Sequence, residues 1–366
     1  MRLRAGRPLL LLVLSLVLAV LAGPAVASDS GHDRGRTLDR SPLPVRVVAS
    51  SHRDGALPTF VGEDGLVYSL TPLVVPGKNG VIYIGQEFDA GCAYGRKLRL
   101  AMRQLGRLVH TIEKTGRRVV FTVAPNKSAV NKADLPDVLP HGACDAIAIA
   151  EQDQILDGYR DPSYLQLRSK FAAMTARGRQ VYWNLDTHWN SVATGIYADA
   201  VARTLDPHLA KVQSCSRRPE TILIDLAWLG VLGQQYETGP GCLNTTNVKV
   251  RPAAGSAPFD PSVMISGNIA WSTAPAHRTW PGKTALIGDS FTYRGLDNLM
   301  PLFRRGHFLW LGNIEAGTII DAIGKSDTVV FESVQRFLGA SELCSTVFRR
   351  EVKKAMAAHD RQHPRR

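Results

Sequence analysis

Asp186-Thr187-His188-Trp189-Asn190 is the stretch on which the reading of this chain turns. The run before it, residues 180–185 (Gln-Val-Tyr-Trp-Asn-Leu), is apolar and aromatic and predicts a buried strand. After it, Val192, Ile196, Ala200 and Leu205 fall near helical spacing, and Asn190 or Ser191 can cap the first turn. An acid and an imidazole two residues apart are thus predicted where a strand gives way to a helix. In open α/β sheets that carboxyl edge is where ligands bind. An Asp near a His can orient the ring and stabilise the imidazolium, but the pair needs a nucleophile to serve. Gly288-Asp289-Ser290-Phe291 offers one, between a predicted strand at 284–287 and a predicted helix at 293–303.

The chain has 366 residues, of which 45% are hydrophobic and 21% charged, enough for one large α/β domain or two smaller ones with a sizeable core. Arg2, Arg4 and Arg7 precede an apolar run over 9–21, interrupted only by Ser15, and then Gly23-Pro24-Ala25-Val26-Ala27, the pattern of a secretory signal peptide over 1–27. The run is short for a membrane span, so an uncleaved anchor is the lesser alternative. Export predicts a secreted or cell-envelope location. The formal charge is +12, and seven Lys or Arg against Glu351 and Asp360 make residues 348–366 a basic tail, read as solvated and partly frayed. Contact of that tail with an anionic envelope glycan is the sharper alternative. Nucleic acid is not an expected partner, because no recognised binding motif is present.

Cys92, Cys144, Cys215, Cys242 and Cys344 fit an oxidising compartment and contain no CxxC spacing for zinc. Proximity favours Cys215–Cys242 and Cys92–Cys144, leaving Cys344 over. Four cysteines alone still allow three connectivities.

Residues 28–59 read as a flexible lead-in and 60–347 as the folded domain. Short strands are expected at 65–68 and 81–84, separated by a turn at 76–80. Leu98, Ala101, Met102, Leu105, Leu108, Val109 and Ile112 predict a helix over 94–115, closed by Gly116. A buried strand at 118–123, helices near 147–156 and 164–176, and then the central stretch follow. Residues 209–280 are irregular and read as an insertion that roofs the site. Alternation returns with strand 284–287, helix 293–303, strand 307–311, a short helix near 314–323 and strand 328–332. Strands alternating with helices imply a mostly parallel sheet covered on both faces.

Each motif has a plainer reading. Gly-Asp-Ser is common in turns and caps; its place at a strand-to-helix junction, with helix N–H groups beside it to hold an oxyanion, raises it. Asp186 and His188 are also two potential metal ligands, but a mononuclear site needs a third and no HExxH or Cys/His cluster supplies one, so neither metal nor cofactor is expected. Together the two motifs supply all three roles of a Ser-His-Asp triad. Asn126 and Lys127, after the strand at 118–123, are a plain turn or a cationic contact for an anionic substrate. Asn313 is placed to donate to an oxyanion. Tyr293, Arg294 and Trp189 complete the oxyanion or substrate candidates; Trp189 and Trp183 are core aromatics or sugar platforms.

Val75-Pro76-Gly77-Lys78-Asn79-Gly80, Ala124-Pro125-Asn126-Lys127 with Leu135-Pro136, Asp186-Thr187-His188-Trp189, Gly288-Asp289-Ser290-Phe291, and 327–332 (Asp-Thr-Val-Val-Phe-Glu) with Arg336 carry a resemblance in that order. Over about residues 70–340 the chain resembles the alginate O-acetyltransferase family of AlgX and AlgJ proteins, whose catalytic domain is SGNH-hydrolase-like. The resemblance implies a three-layer α/β fold with a mostly parallel sheet. It also implies Ser290 as nucleophile, His188 as base and Asp186 as its orienter, with Asp-x-His ahead of the serine, the reverse of ordinary SGNH hydrolases. It further implies an exported O-acetyltransferase that forms an acyl-enzyme, acts on polysaccharide hydroxyls and receives acetyl from a membrane-bound O-acyltransferase. Residues 209–280 match nothing recognisable in the family, and no carbohydrate-binding module follows residue 340, so alginate itself is not implied. A carbohydrate acetylesterase and a non-catalytic glycan-binding protein are the alternatives.

Overall fold

Four strands, β5 (Arg118–Ala124), β10 (Trp280–Gly288), β11 (Phe303–Trp310) and β12 (Thr328–Val334), run parallel at the centre of a six-stranded sheet ordered β5-β12-β10-β11-β9-β8. β9 (Asn268–Ala274) and β8 (Lys249–Pro252) extend it by antiparallel pairing at the β11 edge. The computed structural model describes residues 59–61, 67–69, 73–89, 94–212, 215–226, 236–244, 248–254, 256, 267–274 and 278–364. The expected signal peptide and nearly all of the lead-in lie outside them. Among the described residues no helix is long and apolar enough to cross a membrane.

The alternation of side chains along the strands builds two cores. Val120, Leu286, Phe308 and Val330 point to one face; Val119, Phe121, Ala285, Ile287, Leu309, Val329 and Phe331 point to the other. Because both faces are covered, the central strands carry apolar side chains on both sides of the sheet, as runs such as Val119-Val120-Phe121 predict. On the second face lie α1 (Tyr94–Glu113), α9 (Ala316–Lys325) and α11 (Thr346–Gln362). On the first lies α5 (Ser191–Leu205), with Tyr197, Val201 and Leu205 inward and its first turn capped by Asn190, whose Oδ1 accepts from the Ala193 N–H at 3.1 Å. Between β5 and α5 come α2 (Lys127–Val130), α3 (Ala143–Gly158) and α4 (Arg168–Thr175), and α6 (Pro207–Val212) follows α5.

Several expectations are corrected. Residues 180–185 form no strand of the sheet: only an isolated bridge joins Tyr182 to Trp189, and the Asn190 N–H returns to the Val181 carbonyl at 2.9 Å. The apolar run is buried because it is a tight loop pressed into the first core. The two early strands are real but do not pair with each other. β1 (Thr59–Val61) pairs with β2 (Val67–Ser69), and β3 (Val74–Pro76) with β4 (Ile82–Ile84). The helix expected over 293–303 breaks into α7 (Ser290–Arg294), α8 (Leu296–Leu299) and a 3-10 turn at Met300–Leu302. Gly295 and Pro301 sit at the breaks, and residue 303 already begins β11. Residues 348–362 are not a frayed tail. They belong to α11, which buries Phe348, Val352 and Met356 at four-residue spacing and is capped by Ser345. Buried Arg117 grips Asp360 through both guanidinium ends at 2.9 and 2.8 Å. Finally, part of the irregular insertion is a regular antiparallel hairpin, β6 (Cys215–Leu223) with β7 (Tyr236–Asn244).

Cys215 and Cys242 are bonded across that hairpin, with Cα atoms 5.2 Å apart, and Cys344 is a free thiol. The other favoured pairing needs Cys92, which lies outside the described residues.

Candidate active site

The serine stands on a sharp turn at the carboxyl end of β10, flanked by β12 and β11. Asp289 makes that turn. Its Oδ1 accepts from the Phe291 N–H at 2.9 Å, capping α7, while its Oδ2 accepts from the Val334 N–H at 2.6 Å and ties the turn to the end of β12. Gly288 is obligatory here: a Cβ would lie 2.3 Å from Thr292 Oγ1 and 2.9 Å from Glu332 Oε2. Glu332 is fully buried beneath the turn and accepts from Thr292 Oγ1 at 2.8 Å and from the Asp289 and Thr292 N–H groups at 3.2 Å each. Burial first, and then Asp289 beside it, raise its pKa well above the carboxylate range. Helix N–H groups beside the serine were expected to be open for an oxyanion; those of Phe291 and Thr292 are already committed to Asp289 and Glu332.

His188 reaches Ser290 from the loop before α5. Its Nε2 lies 2.7 Å from Ser290 Oγ and its Nδ1 lies 2.8 Å from Asp186 Oδ1. Asp186 and His188 are buried, whereas Ser290 is partly exposed. The loop is held at many points. Tyr182 Oη donates to the Pro125 carbonyl, Trp189 Nε1 to the Phe291 carbonyl at 2.9 Å, and the Trp183 N–H to the His188 carbonyl at 3.3 Å. The Trp189 bond joins the imidazole's loop directly to the serine's turn.

A residue missed at the level of sequence completes the arrangement. Asp225, just past β6, places Oδ2 3.3 Å from His188 Nδ1 and takes the Thr187 N–H on Oδ1 at 2.8 Å and the Thr187 hydroxyl on Oδ2. Its own N–H donates to Asp186 Oδ2 at 2.8 Å. Both carboxylates near Nδ1 only accept, so Nδ1 carries the hydrogen and Nε2 of the neutral ring faces the serine as acceptor. Burial opposes charging of His188, but Asp186 and Asp225 outweigh it and hold the ring's pKa above its usual range. Burial likewise opposes ionisation of Asp225, yet its bond to His188 and the bonds from Thr187 leave it below the carboxylate range. No signal near Asp225 in the sequence marks it, because it lies in the segment that read as irregular.

Asp225 is also the third potential metal ligand that the sequence lacked: the donor atoms of Asp186, His188 and Asp225 lie within 4.8 Å of one another. The donor chemistry favours hydrogen bonds. Asp186 Oδ1 accepts from the His188 N–H at 2.9 Å, its Oδ2 from Asp225, and both Asp225 oxygens from Thr187. A cation there would compete with bonds already formed.

The remaining candidates separate. Lys127 is fully buried, with Nζ bonded to the Ile82 and Asn184 carbonyls at 2.7 and 3.1 Å, and burial lowers its pKa to about 8. It braces the loop ahead of Asp186 rather than presenting a charge to substrate. Trp189 is a core residue against Phe171, Tyr197 and Phe291, not a sugar platform. Tyr293 is buried with its ring against Phe308 and Trp310. The Arg294 guanidinium lies 3.8 Å from Asp186 Oδ2. Asn126 is buried beyond β5, with its N–H on Gln335 Oε1 at 3.0 Å and its Oδ1 lacking a hydrogen-bond partner. It borders a cavity of about 570 Å³ with Glu87, Lys97, Gln104 and Arg336. Asn313 is exposed beyond β11.

No curated protein matches the chain in sequence. Among solved structures, Bacillus cereus PatB1 with a sulfonyl adduct is 11% identical with a TM-score of 0.50, covering 72% of this chain and 97% of that one. The O-acetyltransferase domain of Pseudomonas putida AlgJ is 18% identical with a TM-score of 0.47, covering 77% and 99%. Pseudomonas aeruginosa AlgX is 12% identical with a TM-score of 0.41, covering 78% and 67%. In sequence, residues 74–246 match the family described as the SGNH hydrolase-like domain of acetyltransferase AlgX, a stretch that includes Asp186, His188 and Asp225 and stops short of Ser290. Over residues 74–246 the chain is therefore similar to the AlgX family of SGNH hydrolase-like acetyltransferase domains.

Proposed function

We propose that this protein is an exported O-acetyltransferase that carries an acetyl group on Ser290 and passes it to a hydroxyl of an extracellular or cell-envelope polysaccharide. The single observation that supports this most is the continuous chain Asp186–His188–Ser290, with hydrogen bonds of 2.8 and 2.7 Å ending on a partly exposed hydroxyl. Ser290 Oγ attacks the acyl carbonyl while Nε2 takes its proton. The proton then leaves with the donor's alcohol or thiol, and the acyl-enzyme remains. A sugar hydroxyl next gives its proton to Nε2 and attacks the ester, which releases Ser290. The Ser290 N–H is the backbone donor assigned to the oxyanion, with Asn126 and Asn313 as further candidates. The acetyl donor is assigned to a membrane-bound O-acyltransferase.

Quenched reaction of the purified protein with an acetyl-ester surrogate, followed by peptide mass spectrometry, tests the covalent step. Acetyl on the Ser290 peptide, absent in His188→Ala, is expected; acetyl elsewhere, or none during turnover, contradicts it. Adding soluble glycan acceptors separates transfer from hydrolysis, since a transferase gives acetylated glycan and an acetylesterase gives acetate alone.

A further inference from the structure

We propose that Asp225 is a second positioning carboxylate for His188, sharing the Nδ1–H with Asp186. The inference rests on the acyl-transfer reading above and goes beyond it by assigning a fourth residue that the three-residue pattern lacks. Three observations carry it. Asp225 Oδ2 lies 3.3 Å from Nδ1, on the ring edge that Asp186 meets at 2.8 Å. The two acids are tied to one another, because the Asp225 N–H donates to the Asp186 oxygen that does not face the ring. Asp225 is also fixed on both oxygens by Thr187, the residue between the acid and the imidazole, so it cannot swing away without dragging that loop.

Charge gives the pair a purpose. The groups facing the ring are Asp186, Asp225, Ser290 and the uncharged Thr187 hydroxyl, 3.2 Å from Nδ1, with Phe291 packed against the ring and Arg294 behind Asp186 at 3.8 Å. Lys127, the next cation, also serves Glu87 and Glu237. At rest the two carboxylates stand against Arg294 and against Lys127, which they share with Glu87 and Glu237. When Nε2 takes the serine proton, a further positive charge appears directly between the two acids. The arrangement is therefore complementary to the imidazolium form, which exists only while the proton is on loan. Neither acid accepts the Nδ1 proton in this scheme; Asp186 and Asp225 remain carboxylates throughout.

The test is the set Asp225→Asn, Asp186→Asn and the double variant, assayed for steady-state rate against pH, with Ser290→Ala alongside. Asp225→Asn is expected to lower kcat about tenfold with KM nearly unchanged, since positioning acts on the transition state. Its acid limb should move to lower pH, because His188 loses one of the charges that raise it. The far-downfield proton resonance of Nδ1–H should titrate with the same shift. Asp186→Asn should keep measurable activity because Asp225 still holds the ring, and the double variant should fall to the level of His188→Ala. Asp225→Ser, which keeps a small acceptor for the Thr187 N–H but no charge, replaces the amide variant if that one does not fold. A wild-type kcat and acid limb in Asp225→Asn, or a double variant no worse than Asp186→Asn, overturns the proposal. So does lost activity with an unmoved acid limb and resonance, which marks a bracing role for Thr187 alone. If Ser290→Ala keeps its activity, the acyl-enzyme reading fails and takes this inference with it. A dead Ser290→Ala beside an unaffected Asp225→Asn removes only the second carboxylate.

Discussion

Glu237 of β7 accepts the backbone N–H groups of both Asn184 and Leu185 at 2.8 Å, so the hairpin of β6 and β7 grips the loop that carries Asp186 and His188. The same carboxylate takes Gln180 Nε2 at 3.1 Å. Replacing Glu237 with Ala strands two backbone donors. Stability is expected to fall by about 1–3 kcal/mol, the usual cost of leaving such groups unmet. Because the loop sets the distance from Nε2 to Ser290, kcat should fall as well. Urea unfolding and ester hydrolysis, measured on the same preparation, check the two together. Loss of stability with an unchanged kcat would show that the hairpin does not position the imidazole.

The Cys215–Cys242 bond closes the same hairpin, with a sequence separation of 27 residues. The chain-entropy account assigns a loop of that size about 3–4 kcal/mol. Cys215→Ser/Cys242→Ser should lower the melting temperature accordingly, and a reductant should lower the wild-type curve towards it. Identical melting of the two proteins in oxidising buffer contradicts the expectation.

Glu332 predicts a pH dependence whose sign is fixed. In the unfolded chain its carboxyl ionises near the ordinary value of 4.5, whereas in the fold it ionises only well above that. Unfolding therefore releases a proton between these two values, and this residue's contribution to stability declines as pH rises through that window. The decline is at most about 1.4 kcal/mol for each pH unit. Glu332→Gln keeps the size and an acceptor for Thr292 and lacks the ionisation. Its unfolding free energy should therefore fall less than wild type between pH 5 and neutrality, on the order of the slope just given. Parallel slopes for the two proteins would contradict the assignment.

The parts of the fold set by local periodicity were legible in the sequence. α1 reads from Leu98, Met102, Leu105 and Ile112, and the central strands from runs such as Val119-Val120-Phe121, since two-sided burial leaves no polar alternation to confuse with loop. The Asp186–His188–Ser290 geometry was legible because its acid and imidazole are two residues apart in sequence and its serine sits on a glycine turn. What failed was long-range or ambiguous. Val181, Tyr182 and Trp183 are buried in a loop, and burial alone does not separate loop from strand. Asp225 meets His188 across 37 residues of chain through contacts that no local pattern encodes. Phe348, Val352 and Met356 carry a helical period that the surrounding Lys and Arg obscured when the segment was weighed by charge.

The measurement that tests the central claim most directly is the activity of Ser290→Ala, His188→Ala and their double variant on an acetyl-ester surrogate, with and without chelator. Each single variant should lose at least about a thousandfold in kcat, and the double should be hardly worse than either, because nucleophile and base act as a unit. Circular dichroism of all three should match wild type, and chelator should change nothing. If Ser290→Ala retains most of its activity while chelator abolishes it, Asp186, His188 and Asp225 hold a metal and the acyl-enzyme account is contradicted.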